Sequence, residues 1–584
     1  VLERSYPSYD GYKAWLNNYI GNLFYEKKDY DQAYKYYQQA LSIQKNFYLY
    51  LHSDIVDTLN LIGKVLQKQT KYDEALKYYQ QSLKMQTNLY SSDHIKIIPS
   101  LLHIGDLYEE KENYDEALKF YQKALSIREK YYSSDDEEIA SSLILIGSVL
   151  KNQQKYDEAL NAQNRALTIR KKNNSSNQEL IAHTLTHIGM TLYFQQNYIE
   201  ALHFYQEAMK IYDQYYQSDH VNKVTNLSNI GDTLRELKRA DEALVYMKRA
   251  LNIQENLFGE NGHMDMVSTL NSIGYILVKQ NEFEEALNYY ERSLVIKEQL
   301  DSSNHTSIVN LLMTISNTLR KLNKDDEALE RLERILSLFE THKLSNNNEL
   351  VDTFYHIASI RYNQESYDEA IDFYKRGLKI LEEQNPLKHT NIATIRYCIG
   401  LSYSKQRTFD EALKFFESAL GYYEKYNAQN DESINIILHE IALVWNQKQD
   451  YNRATEYLLK RLRVIEGSLG SNNLDITSNI SCIAQVQRNI PNYQLSLVYE
   501  LKSLSLQEEI LLPDNITIGS TLSDIGLCYE NLNQLKLALE YYQRALYIYE
   551  LSEADSFDHL WRLESSIERV SDLLSNELDL SKFF

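Results

Sequence analysis

Ile62-Gly63-Lys64-Val65-Leu66-Gln67-Lys68-Gln69-Thr70-Lys71-Tyr72-Asp73-Glu74-Ala75-Leu76-Lys77-Tyr78-Tyr79-Gln80-Gln81-Ser82 is the stretch whose reading decides the fold. Forty-two residues on, the same grammar returns as Ile104-Gly105, Tyr114-Asp115-Glu116-Ala117-Leu118, Phe120-Tyr121 and Ala124. Forty-two residues back it is there as Ile20-Gly21, Tyr30-Asp31, Ala33, Tyr36-Tyr37 and Ala40. A fixed period of this size is the mark of a repeat array, in which each unit buries its apolar face against its neighbours.

The register runs almost the whole length. The small residue recurs as Gly21, Gly63, Gly105, Gly147, Gly189, Gly231, Gly274, Ser316, Ala358, Gly400, Ala442, Ala484 and Gly526, at steps of 42 with one step of 43. An isoleucine precedes every one of them, from Ile20 to Ile525. Each unit reads as two helices. Leu59, Ile62, Gly63 and Leu66 make an i, i+3, i+4, i+7 stripe for the first. The second starts at Tyr72-Asp73-Glu74-Ala75, where Asp73 is expected to cap the helix and Glu74 to suit its positive end. Gly63 and Ala75 are expected to let the two helix backbones approach closely.

These residues resemble a tetratricopeptide repeat, with its signature positions on Gly63, Leu66, Ala75, Tyr79 and Ser82. The family's standard unit has about 34 residues. The extra length here lies between units, as in Tyr90-Ser91-Ser92-Asp93-His94-Ile95, and this makes the units similar to those of kinesin light chains. The resemblance implies an all-α, right-handed superhelical solenoid of thirteen helix pairs with a C-terminal capping helix. The expected organisation is a lead-in at 1–11, units 1–6 at 12–260, units 7–13 at 261–551 and a cap with tail at 552–584. The inserted residue falls in Phe258-Gly259-Glu260-Asn261-Gly262-His263, read as a tolerated loop insertion in preference to a bend. Unit 12 departs most, with Arg488-Asn489-Ile490-Pro491-Asn492 at its turn and Ser496 in the alanine slot; an irregular turn and the same helix pair are expected. Glu568 stands where a fourteenth small residue would be, as suits a polar cap.

Composition narrows the function. A net charge of -21 over 584 residues argues against a nucleic-acid binder. No stretch is long and apolar enough to span a membrane. Cys398, Cys482 and Cys528 lie in three different units and read as core thiols of a reducing, cytoplasmic setting. The chain begins at Val1, which fits an excised piece. Phosphate loops, HExxH, GxSxG and paired CxxC patterns are lacking, so neither an enzyme nor a cofactor is expected. His52, His94, His220, His263, His305 and His389 recur at unit junctions, where Asp136, Asn473 and Asn515 stand in other units; they read as capping residues. His183 and His187, four apart on one helix, are the best local pair for a metal, but without a third ligand no metal site is expected.

The resemblance further implies that first helices line a ligand groove, through residues three before and one, four and five after the small residue. Asn18, Asn60 and Asn271 fill the first of these positions, as in kinesin light chains, where asparagine bonds a peptide backbone. The co-chaperone version of the fold clamps a terminal carboxylate with lysines; no unit has a lysine there. Unit 3 offers Asp106, Glu109 and Glu110, whereas units 7 to 10 offer Lys279, Arg320, Lys321 and Lys405. The main peptide site is therefore expected at Asn271, Tyr275, Lys279, Asn317, Arg320, Lys321, Tyr355, Tyr362, Tyr397 and Lys405, with a secondary groove at Asn18, Asn22, Asn60 and Lys64. The ligand expected is an extended protein segment with acidic and apolar or aromatic residues, and the protein a non-catalytic adaptor. The alternative is the sensing or oligomerising array of a larger enzyme whose catalytic domain lies elsewhere.

Overall fold

The computed structural model describes residues 9–47, 52–172, 178–259, 262–384, 389–426, 431–469, 474–551 and 557–580. The expected lead-in up to residue 8, and residues 260–261 of the insertion, lie outside these. The described residues form 27 α-helices and one 3₁₀ turn, and no strand. Thirteen helix pairs follow the predicted register, and a last helix, Phe557–Leu580, closes the series. The chain divides into two compact bodies, Val1–Ser303 and Asn304–Phe584. The first holds repeats 1 to 7, the second repeats 8 to 13 and the cap.

Each pair is built alike. In repeat 3 the first helix spans Ile98–Glu110 and the second Tyr114–Tyr131. Pro99 is tolerated because it falls in the first turn, after a 3₁₀ turn at Ile95–Ile97. A single residue with positive φ, Glu112, ends the first helix, and its counterparts recur at Thr70, Gln154 and Lys238. The buried stripe is Leu101, Ile104 and Leu107 against Ala117, Tyr121 and Ala124.

The small residue does a different job from the one its size suggests. A Cβ on Gly105 would lie 2.4 Å from the Tyr121 ring, and one on Gly63 would lie 2.4 Å from the Tyr79 ring. The space a glycine side chain leaves is thus taken up by a second-helix ring. The same holds at Gly400, where the ring is Phe416.

The expected cap at Asp73 is also corrected. The helix already begins at Tyr72, so its N-cap is Lys71, which supplies no side-chain acceptor. Where a cap bond forms, it comes from the residue before the tyrosine, as Asn113 accepting from the Glu116 amide at 3.4 Å. Asp73 instead accepts from Lys111 Nζ of the next repeat at 2.8 Å. Asp31 with Gln69, Asp115 with Gln153 and Asp368 with Gln406 repeat this bond, each at 2.8 Å. The acidic turn is therefore a clasp between consecutive repeats.

Four of the six junction histidines cap helices. His305 and His389 are instead the first residues of their own helices, with Nδ1 unbonded and the rings stacked on His342 and Tyr426, centroids 3.5 Å apart. Asn304 takes the capping place before His305. The Nδ1 atoms of His52, His94, His220 and His263 each accept a backbone N–H two residues on, at 3.1 to 3.2 Å. Asp136 and Asn515 do the same with carboxylate and amide oxygens. Asn473 lies outside the described residues. Repeat 12 keeps its helix pair, Leu474–Asn489 and Tyr493–Ile510, and Asn492 caps the second helix. In the closing helix Leu563 and Val570 are buried while Glu568 is exposed.

Candidate functional site

The second-helix rings prepare the first-helix face. In repeats 1, 2 and 3 the ring is tyrosine, and its hydroxyl donates to first-helix side chains of the same repeat. Tyr37 donates to Asn22 at 2.7 Å, and Tyr79 donates to Gln67 at 2.9 Å. Tyr121 donates to Asp106 at 2.6 Å and to Glu109 at 3.1 Å. Burial raises both carboxyls, and the Tyr121 hydroxyl counteracts it.

The expected groove residues of the first body are partly committed to the fold. Asn18 donates to Thr58 at 2.7 Å. Asn60 is buried and accepts from Ser100 at 3.4 Å, so its amide serves the stack rather than an open groove. Lys64 is exposed, beside Asp106 and beside a His103 that burial holds neutral, its pKa lowered to about 4. In repeat 7, Tyr275 is 45% exposed, with Lys279 Nζ 5.4 Å and the Arg235 guanidinium 5.6 Å from its ring centre. Asn271 stands half-buried, and its Oδ1 is enclosed without a hydrogen-bond partner.

In the second body the residues separate into three groups. Asn317 and Lys321 are exposed on the last turns of His305–Lys321. Arg320 is half-buried and donates to His356 Nδ1 at 2.8 Å and Ser359 Oγ at 3.0 Å. Burial and this guanidinium lower His356 to about 4, so the ring is neutral and accepts. Arg320 is thus a bridge between repeats 8 and 9 before it is anything else. Tyr355 faces a hollow of about 170 Å³ shared with Asp352, Asn391 and Thr394. The neighbouring Cys398 thiol and burial raise the Tyr355 hydroxyl to about 12.

Tyr362, Tyr397 and Lys405 do come together. They line one cleft of about 730 Å³ with Leu401, Arg407, Phe409 and Glu440. The rings are fixed from behind: Tyr397 packs against Phe416 with centroids 5.8 Å apart, and Tyr362 meets Tyr367 edge-on at 5.5 Å. Glu440 was not foreseen. It lies two residues before Ala442, one position outside those read as groove-lining. Burial raises its carboxyl and Lys405 opposes that rise. The cleft therefore offers two hydroxyl-bearing rings, an apolar floor of Leu401 and Phe409, and charges of both signs.

The histidine pair lies in repeat 5. The His183 and His187 rings have centroids 4.5 Å apart. Burial and a neighbouring positive charge lower both, His187 to about 3. Among the described residues, no group of three or more His, Cys, Asp or Glu is placed to hold a metal ion. Nor is any described helix long and apolar enough to cross a membrane.

Structures similar to the chain include BtubC (BKLC) from P. vanneervenii, at 15% identity over 42% of this chain and 92% of that one, with a TM-score of 0.32. A putative kinesin light chain from Podosopora anserina with nearly identical TPR-like repeats matches at 14% identity, over 36% of this chain and 99% of that one, with a TM-score of 0.32. The apo form of RapI matches at 17% identity over 64% and 99%, with a TM-score of 0.46. A search of curated proteins by sequence finds no match. The tetratricopeptide repeat pattern matches residues 12–88, 54–125, 96–172, 180–256, 265–341 and 349–425, and a related pattern of the same name matches 520–550. Between 426 and 519 the helix pairs continue in register without such a match. By the share of its length that carries the repeat, this chain belongs to the tetratricopeptide repeat family.

Proposed function

We propose that this interaction scaffold binds an extended protein segment at the cleft of Tyr362, Tyr397 and Lys405 in repeats 9 to 11. The observation that carries the reading is the cleft itself, about 730 Å³ with rings, an apolar floor and a free-standing cation in one place. An aromatic or aliphatic side chain of the ligand enters between the rings, where flat amphipathic surface binds at low entropy cost. A carboxylate of the ligand meets Lys405 and Arg407. Glu440 then disfavours a second acid at the same point, so acidic residues are expected to flank the anchor rather than replace it. Lys321 and Asn317 extend the surface along repeat 8. Arg320 contributes less than its charge suggests, because a ligand would have to draw it from His356 and Ser359.

The test is selection of displayed peptides on the whole chain, followed by titration of the enriched peptides. Peptides with one bulky anchor flanked by acids are the expected outcome. Tyr397→Ala with Lys405→Glu should weaken them by about 2 kcal/mol or more, roughly 30-fold, and more at low salt. Lys64→Glu with Lys68→Glu should leave them unchanged. The reverse pattern would move the site to the first body.

A further inference from the structure

Repeat 12 carries a carboxylate where the other repeats carry an uncharged side chain. Sixteen residues after the small residue stand Tyr79, Tyr121, Gln163, Met247 or Leu458, and in repeat 12 Glu500. Glu500 is fully buried, sixteen residues after Ala484. Its Oε1 accepts from Arg488 Nη1, and its enclosed Oε2 has no hydrogen-bond partner. Arg488 also donates through Nη2 to Asp524 Oδ2 at 3.0 Å. One guanidinium therefore faces two carboxylates, with Arg488 13% and Glu500 0% exposed at their side chains. Other titratable groups here are Cys482 on the first helix of the repeat, Cys528 on that of repeat 13 and Tyr549 beside Asp524, all raised by burial first.

Fully ionised, the cluster carries one negative charge in excess, with Asp524 36% exposed at its side chain and Glu500 holding an enclosed, unbonded oxygen. Such a group costs several kcal/mol when dry, and neutralisation by a proton is the ordinary escape. The more enclosed carboxylate is the one to take it. We propose that this cluster is a proton-operated joint: a proton on Glu500 closes the two helices of repeat 12, and its loss loosens Tyr493–Ile510 from Leu474–Asn489.

Burial, then the Asp524 charge, push Glu500 up to about 7 from a reference of 4.5, against the pull of Arg488. The folded repeat thus holds a proton that the opened one releases between those values. Stability is fully present below the lower value, falls as pH climbs through the window, and levels off above it. Asp524 is raised as well, by burial first, and acts with the same sign.

Hydrogen exchange on the full chain tests this, read as protection of peptides from residues 474–510 at pH 5 and pH 7, corrected for intrinsic rates. Protection in the wild type should fall by up to about 10-fold per pH unit, so by up to about 100-fold across the interval. Glu500→Gln should remove most of that fall, leaving the part that Asp524 contributes, and peptides of repeat 3 should not respond to the substitution. Glu500→Leu copies the Ala442–Leu458 pairing of repeat 11 and leaves Arg488 balanced by Asp524 alone. It should vary with pH much less than wild type, keeping only the contribution of Asp524, and be more protected than wild type at pH 7. A pH dependence as steep in the Leu variant as in the wild type would overturn the proposal. So would a wild type that shows none.

Discussion

Repeats 3 and 12 have the same backbone and opposite polarity. In repeat 3 the second helix sends a hydroxyl, Tyr121, past the gap left by Gly105 to two acids on the first helix. In repeat 12 the second helix carries the acid, Glu500, and the first helix carries the base, Arg488. The gap is smaller by one methyl group in repeat 12, where Ala484 replaces glycine. The difference teaches that the array fixes where a buried polar group will sit and leaves open which group it is. A ring fills the position and satisfies itself with one hydroxyl. A carboxylate needs a partner, and so recruits the arginine and a second acid.

The largest expected effect breaks the ring's socket. Gly105→Leu should destabilise repeat 3 by about 3 kcal/mol, because even its Cβ would overlap the buried Tyr121 ring. Urea unfolding and limited proteolysis within 98–131 measure it; wild-type resistance would refute the socket. Tyr121→Phe keeps the ring and removes the hydroxyl, at a cost of about 1–2 kcal/mol. Its dependence on pH has a definite sign. The hydroxyl stabilises the ionised forms of Asp106 and Glu109, both raised by burial. The gap to wild type should be widest where both carboxyls are ionised and narrow as falling pH protonates them. Gly421→Ala sharpens the point that a glycine matters only where something fills its space. No atom lies within 4 Å of a Cβ there, in mid-helix, so the gain should be about 0.5–1 kcal/mol in thermal unfolding. The smallest effect belongs to the clasp. Repeat 12 does without an acid at this turn, having Gln494, and Asp115→Ala in repeat 3 should shift the unfolding midpoint by at most about 0.5 kcal/mol.

The helix pairs were legible because periodicity is a property of the chain alone: Ile104, Gly105 and Ala117 announce their burial by recurring. What a recurring residue touches was not legible. Asp73 was read as a cap because acids favour helix starts, yet the helix opens one residue earlier and the carboxylate reaches Lys111. Asn60 was read as groove-facing by resemblance, while its amide lies buried beside Ser100. Arg320 looks available in the sequence because its partners, His356 and Ser359, belong to the next repeat, 36 and 39 residues on. Glu440 escaped because it lies one position outside those read as groove-lining. Glu500 did leave a signal, as the one charged residue in a column of rings, amides and aliphatic side chains. It is seen only when the thirteen copies are aligned at their sixteenth residue.

The clasps between consecutive repeats carry a kinetic consequence. Asp31 to Gln69 and Asp73 to Lys111 each span 38 residues, and Asn222 to Glu179 spans 43. Each such bond has both partners in hand as soon as one further repeat has been synthesised. Short loops close quickly and at modest entropic cost, and domains fold as they emerge from the ribosome. Translation of this chain should therefore proceed as a zipper: each new repeat finds its template finished, and only the newest apolar face waits uncovered.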